Sequence, residues 1–131
     1  MGLHHVELWI DDLDLVRDEW AWLLGRVGLS RLSAWPGGET WGDGGAYLTL
    51  TGSPNLADGG HDRRRPGVNH LAFWAGGRGD VDAVMHDAPA HGWRPLYHER
   101  YPHAGGPDHY AGWLQNAAGF KVEVVAEPVA D

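Results

Sequence analysis

The hydrophobic period of this chain changes twice in the same order, and that repetition limits the folds open to it. Residues 4–10, HHVELWI, alternate: Val6, Leu8 and Ile10 fall on one face of an extended strand, His5, Glu7 and Trp9 on the other. The period then becomes helical. Leu13, Val16, Trp20, Leu23, Leu24 and Val27 recur at intervals of three and four, with Asp12 or Asp14 placed to cap the start and Gly25 or Gly28 near the end. LSRLSAWP, ETWGDG and AYLTLTG follow as three short strand-forming segments punctuated by Gly and Pro.

SPNLADGGHDRRRPG has the composition of a loop, and after it the pattern restarts. VNHLAFWA reads as a strand. RGDVDAVMHDAPAHG places Val81, Val84, Met85 and Ala88 at helical spacing, with Asp80 as a cap, Pro89 ending or kinking the helix and Gly92 as a stop. WRPLYHER, HYAGWL and FKVEVVA supply three more strands, the first weakened by Pro95. The expectation is an α+β fold of two tandem βαβββ modules, about 4–51 and 68–126 with a linker at 52–67, forming one domain by internal duplication. At 131 residues the chain has room for one ordinary core and not for two independent domains.

Composition narrows the functional classes. The chain has no cysteine, which excludes disulfides, thiolate metal sites and a cysteine nucleophile; any metal must be held by nitrogen and oxygen. A formal charge of −8 argues against nucleic acid and mildly favours cationic ligands. The one dense basic group, Arg63, Arg64 and Arg65, lies in a polar, proline-flanked loop and reads as a solvated connection. No apolar run is long enough to span a bilayer and the N-terminus lacks a signal pattern, so a cytoplasmic location is expected. The 8 tryptophans exceed what a core of this size absorbs and suggest a pocket wall or an interface.

Three strands carry a polar residue where the alternation needs none. His5 opposes Val6, Leu8 and Ile10; His70 opposes Leu71 and Phe73; Glu123 opposes Phe120, Val122 and Val124. If each helix covers the apolar face of its module, the opposite faces are left to line a concave surface. Two imidazoles and a carboxylate there suit a divalent Zn, Fe, Mn, Co or Ni ion with a position left open for water or substrate. Each of the three is, taken singly, an ordinary surface or rim residue.

The duplicated plan, with HHVELWIDDLD at the start, NHLAFWA in the middle and NAAGFKVEVVA at the end, resembles the vicinal oxygen chelate superfamily of glyoxalases, bleomycin-resistance proteins and extradiol dioxygenases. The resemblance spans nearly the whole chain. It implies an open, cavity-enclosing mixed sheet with helices outside, a homodimer, and His5, His70 and Glu123 as metal ligands. It also implies a metal-dependent enzyme acting on an oxygenated small molecule, or alternatively a non-catalytic protein that binds a drug between aromatic walls. Some positions depart from the family. Thr49 stands where the glyoxalase I pattern has a second glutamate, which argues against lactoylglutathione chemistry. The tail VVAEPVAD lacks the cations that hold a phosphonate in fosfomycin thioltransferases. Extradiol dioxygenases add a second-sphere histidine and a tyrosine; His103 and His109 are the acid/base candidates here, while Trp113 takes the tyrosine's strand position and Tyr110 is the substitute. Glu123 joins these as a catalytic candidate. Glu7, Trp9, Tyr47, Thr49, Trp74 and Trp113 are the expected pocket residues, with Glu7 also a potential fourth ligand.

Overall fold

A computed structural model describes residues 1–129. The chain divides into two compact units, Met1–His61 and the remainder from Asp62, and each holds one four-stranded mixed sheet and one main helix. The fold is α+β, built of two βαβββ modules.

The first module runs β1 (His5–Trp9), α1 (Leu13–Arg26), β2 (Ser30–Trp35), β3 (Gly38–Gly42) and β4 (Tyr47–Thr51). Its sheet has the order β1-β4-β3-β2, with β1 parallel to β4 and the other pairs antiparallel. The register sorts side chains by face. Val6, Leu48 and Trp41 share one side with Leu8, Leu50 and Glu39; His5 and Tyr47 share the other with Glu7, Thr49 and Thr40. Helix α1 lies on the apolar side, burying Leu13, Val16, Trp20, Leu23 and Leu24. At about 1.5–3 kcal/mol for each large side chain removed from water, this stripe is what holds the helix down. Its end follows from Gly28 at φ +92: Leu29 N–H bonds Leu24 C=O and Gly28 N–H bonds Gly25 C=O, the paired bonds of a Schellman stop.

One ion pair crosses this apolar layer. Glu39 is buried, and Arg17 of α1 donates to it at 3.0 Å while also donating to the carbonyls of Trp35 and Pro36. The second carboxylate oxygen of Glu39 accepts from Trp41 Nε1 at 2.9 Å.

The second module runs β5 (Leu71–Trp74), α2 (Arg78–Asp87), β6 (Arg94–Leu96), β7 (Ala111–Gln115) and β8 (Lys121–Val125), with short 3₁₀ turns at Ala88–His91 and His98–Arg100. Its sheet repeats the order, β5-β8-β7-β6, with β5 parallel to β8. Asp80 is not the cap itself. It lies in the first turn and its carboxylate accepts from the Gly77 N–H at 2.8 Å, because Gly76 and Gly77 form the entry and Arg78 is already helical. Pro89 falls in the 3₁₀ turn that closes the helix, and Gly92 at φ +87 ends it. The strand expected over 93–100 is only Arg94–Leu96, since Tyr97 turns into the left-handed region and a 3₁₀ turn follows.

Helix α2 packs on the face of Leu71, Phe73, Val122, Val124 and Leu114. It comes so close that a methyl group added at Gly112 would stand 2.2 Å from Met85 Sδ. Glycine at 112 is therefore a packing requirement.

Replacing Arg17 with Met leaves the Glu39 carboxylate buried without its principal charge partner. The expected cost is about 3 kcal/mol, read as a lower denaturant midpoint at unchanged slope.

Candidate functional site

The face of the second sheet that α2 leaves uncovered is organised by Glu123. Strand β8 is paired on both sides, and Glu123 stands in register with Ala72 of β5 and Trp113 of β7. Val122 and Val124 point the other way into the helix layer, so Glu123 must face away from it. Although its face is the open one, Glu123 is only 5% exposed, and a carboxylate that buried needs strong partners. It has two. His70 Nε2 lies 3.2 Å from Oε1, and His109 Nε2 makes a short contact with Oε2.

The His70 contact is chemically specific. Asn69 Nδ2 donates to the Arg63 carbonyl at 3.0 Å, which fixes the amide and turns Asn69 Oδ1 toward His70 Nδ1 at 2.8 Å. An amide oxygen only accepts, so Nδ1 carries the proton in that bond and a neutral imidazole then has a bare lone pair on Nε2. That lone pair faces a carboxylate oxygen. Two acceptors at 3.2 Å call for a proton or a cation between them.

His109 is positioned by the loop that leads into β7. His103 Nδ1 donates to the His109 carbonyl at 3.3 Å, and the His109 ring lies 6.0 Å from that of Trp113. Gly105 packs against both: a methyl group there would come within 2.7 Å of His109 Cδ2 and 2.9 Å of the Trp113 ring. Beyond Trp113 on the same face, Tyr97 meets it edge-on at 5.9 Å. Lys121, buried and two residues before Glu123, donates to the Tyr97 hydroxyl at 2.9 Å and lies 4.8 Å over its ring. Tyr97 holds φ +57, a conformation costing a tyrosine about 1–3 kcal/mol that its ring contacts must offset.

Alternation separates Tyr110 from this group. His109, Ala111 and Trp113 share the Glu123 face, whereas Tyr110 falls on the helix side and donates to Asp82 of α2 at 2.6 Å. Tyr101 donates to the same oxygen, and Arg78 lies 4.9 Å over the Tyr110 ring. Asp82, Tyr101 and Tyr110 line a recess of about 370 Å³ with Met85, His86, Pro95 and His98.

In the first module His5 stacks on Tyr47 at 4.9 Å, the rings nearly parallel, and its Nδ1 lies 2.8 Å from that of His4. Glu7 accepts from Trp9 Nε1 at 2.7 Å, and Thr49 bonds Thr40 across the sheet at 3.0 Å. Trp9 is 44% exposed on this face, and Trp74 is 62% exposed on the matching face of the second sheet. So His70, His109, Glu123 and Trp113 are brought together, and Tyr110 is not. The sequence reading missed Asn69, Tyr97, Lys121 and a non-solvent role for Arg63. Lys121 was within reach of it, because it shares the period-two face of Glu123.

The chain is similar to known proteins in sequence and in fold. A family model of the glyoxalase/bleomycin resistance protein/dioxygenase superfamily matches residues 4–113. The uncharacterised protein YqjT of Bacillus subtilis (strain 168) is 36% identical over 125 residues, covering 95% of this chain and 98% of that protein. A crystal structure from Bacillus halodurans, a candidate glyoxalase, superposes with a TM-score of 0.89 at 37% identity, covering 95% of each chain. The fosfomycin resistance protein FosX of Listeria monocytogenes, complexed with Mn(II) and a dihydroxypropylphosphonic acid, shares the fold at a TM-score of 0.66 and 17% identity over 98% of this chain and 91% of its own. This chain belongs to the glyoxalase/bleomycin resistance/dioxygenase superfamily.

Members of that superfamily commonly use divalent metals. Among the described residues no three His, Asp or Glu side chains form a ready-made ion cage. The donor chemistry of the second module nevertheless fits an ion as a pair. With ligand bonds of about 2.1 Å, two neighbouring donors on one ion stand roughly 3.0–3.4 Å apart, and His70 Nε2 and Glu123 Oε1 are 3.2 Å apart with lone pairs facing.

The tyrosines give this module a recognisable alkaline titration. The Lys121 hydrogen bond holds Tyr97 below the ordinary phenol value. Burial first and then Asp82 raise Tyr101; the Asp82 hydrogen bond and then burial raise Tyr110. Phenolate absorbance should show Tyr97 ionising below pH ~10, ahead of Tyr110 and Tyr101, and Tyr97→Phe should delete that early step. Tyr101 and Tyr110 have folded values above the unfolded one, so the stability they contribute is intact below pH ~10 and lost as pH rises past it. Asp82 is lowered, first by Tyr101 and then by Tyr110. Its contribution is intact above pH ~4 and lost as pH falls below. Asp82→Asn should flatten the acid limb of the unfolding midpoint against pH.

Proposed function

We propose that this chain is a divalent-metal-dependent enzyme that binds an oxygenated small molecule through adjacent oxygens. His70 and Glu123 are its ligands in the second module, and His5 is the ligand that the family resemblance assigns in the first. The observation that carries this reading is the Asn69-locked tautomer of His70, which aims a bare Nε2 lone pair at a buried carboxylate oxygen. Orientation of a ligand histidine by a hydrogen bond to its other nitrogen is the usual support for a metal-binding imidazole.

Bound there, a divalent ion would act as a Lewis acid on substrate oxygens. The chain's own groups do the rest. His109 donates its Nε2 proton to the second oxygen of Glu123, which leaves the Nδ1 lone pair to accept a proton from bound substrate and return it. His103, bonded to the His109 carbonyl, and Gly105, packed under the ring, hold that imidazole in position. Trp113 walls the face and keeps water from the carboxylate. The homodimer and the cytoplasmic location expected from the sequence belong to the same reading; among the described residues no helix is long and apolar enough to cross a membrane.

A second reading is favoured by one observation: Trp9 and Trp74 stand exposed on the uncovered faces. Such rings suit a protein that binds an aromatic drug without transforming it.

Equilibrium dialysis with Mn(II), Zn(II), Ni(II) and Fe(II) distinguishes the two. His70→Ala and Glu123→Ala should each abolish stoichiometric metal binding, and His5→Ala should weaken it by at least tenfold. His109→Gln should retain metal but lose about 10²-fold or more in kcat on whichever of the catechols, α-keto acids, 2-oxoaldehyde thiol adducts or aromatic antibiotics is turned over. Tight aromatic binding that survives both a chelator and Glu123→Ala, with no product formed, would establish the binding protein instead.

A further inference from the structure

Next to the Glu123 group lies a cluster that the metal reading does not use. Lys121 Nζ donates to the Tyr97 hydroxyl at 2.9 Å, and Arg63, reaching in from the loop before β5, donates through Nε to Gln115 Oε1 at 2.8 Å. Gln115 pairs with Lys121 across the β7–β8 ladder, so both cations converge on one patch of the sheet. Arg100 adds its guanidinium 5.1 Å over the Tyr97 ring. Among the described residues neither Lys121 nor Arg63 has a carboxylate within 4.0 Å, although acidic residues outnumber basic ones in the chain, 18 to 10.

The hydrogen-bond arithmetic is one-sided. An ammonium and a guanidinium only donate, and a phenol that accepts from Lys121 still has its own proton to place. Lys121, Arg63 and Tyr97 therefore each keep donor protons beyond the bonds just named, and Tyr97 joins them from a left-handed conformation. Strain of that kind is retained where surrounding contacts impose it, commonly at ligand sites. Tyr97 and Arg63 are both part-exposed, so a solute can reach them. Trp113 spans the distance to the Glu123 group, with His109 at 6.0 Å on one side and Tyr97 at 5.9 Å on the other.

We propose that Lys121, Tyr97 and Arg63 form a subsite for an anionic oxygen group of the substrate, a carboxylate or a phosphate-like group, whose chelating oxygens lie toward His70 and Glu123. Two residues of extended strand separate the Lys121 and Glu123 positions by roughly 7 Å. The substrate therefore carries its anion about one ring's width from its chelating oxygens, over the Trp113 indole. This deepens the metal-dependent reading and names its substrate class. An acidic protein repels anions in general, so saturable anion binding would have to come from a built site.

The test uses the full chain labelled with ¹³C at the tyrosine ζ carbon. With 4 tyrosines, the Tyr97 line is assigned by its loss in Tyr97→Phe. Inorganic phosphate and acetate are titrated separately at constant ionic strength, with Zn(II) and then with a chelator. The expected result is a saturable shift of the Tyr97 line with at least one anion, weakened at least tenfold by Arg63→Gln and by Lys121→Gln. The stronger anion tells a tetrahedral group from a planar one, and either supports the subsite. His70→Ala, which removes metal binding, should leave the anion titration within twofold, so failure of the metal reading and failure of this one are told apart. No saturable shift, or one unchanged in Arg63→Gln, overturns the proposal. Should Lys121→Gln fail to fold, the part-exposed Arg63 decides alone.

Discussion

Parallel pairing between the first and last strands of each module is the constraint from which the rest of the structure follows. A parallel pair cannot be closed by a hairpin, so the chain must cross over between the two strands, here through a helix and two further strands, and that helix claims one face of the sheet. β1 beside β4 and β5 beside β8 both obey this. The face opposite the helix is then free of the apolar requirement, and it is there that His5, Glu7, Glu123 and Lys121 are found. The same pairing sets a histidine at the start of each module beside its last strand: His5 opposite Tyr47, and His70 at the mouth of β5 within reach of Glu123 on β8. Site chemistry is in this sense a by-product of topology.

Within the second module, burial decides which polar groups matter. A solvent-facing strand glutamate would be an ordinary surface residue. Glu123 becomes something else because it is buried beside Trp113 and its two oxygens meet imidazole nitrogens, that of His70 on one and that of His109 on the other. Lys121 is buried too and answers burial differently, donating to a phenol and lying near its ring instead of pairing with a carboxylate. Two opposite charges, two residues apart on one strand, take separate partners.

The parts of this fold legible in the sequence were those carried by periodicity. Alternation in HHVELWI and FKVEVVA assigned the faces of His5 and Glu123, and the three-and-four spacing of Leu13 to Leu24 assigned α1. The same alternation, extended back from β7, separates His109 from Tyr110, which the sequence reading had grouped together. What periodicity could not reveal is chemistry arising from long-range approach. Arg63 sits in a run that reads as solvated, and only the folded chain shows it 2.8 Å from Gln115, 52 residues away. Tyr97 follows a proline-weakened strand, and nothing local signals its left-handed turn. Asn69 reads as one more residue of the strand VNHLAFWA until its amide is seen fixing a histidine tautomer.

The two modules share a plan but fasten their helices by unlike means. In the first, a guanidinium reaches across to a carboxylate set among leucines; in the second, a methionine lies against a bare glycine backbone. These are locks of different cut. An α1 transplanted onto the second sheet would carry Arg17 to a surface of Val122, Val124 and Leu114 with no acid to meet it. An α2 laid on the first sheet would leave Glu39 stranded and find no notch for Met85. Two halves of like plan are therefore not interchangeable parts: a recombinant that exchanged their helices would bury a carboxylate without its guanidinium in one half and bring a guanidinium to an apolar surface in the other.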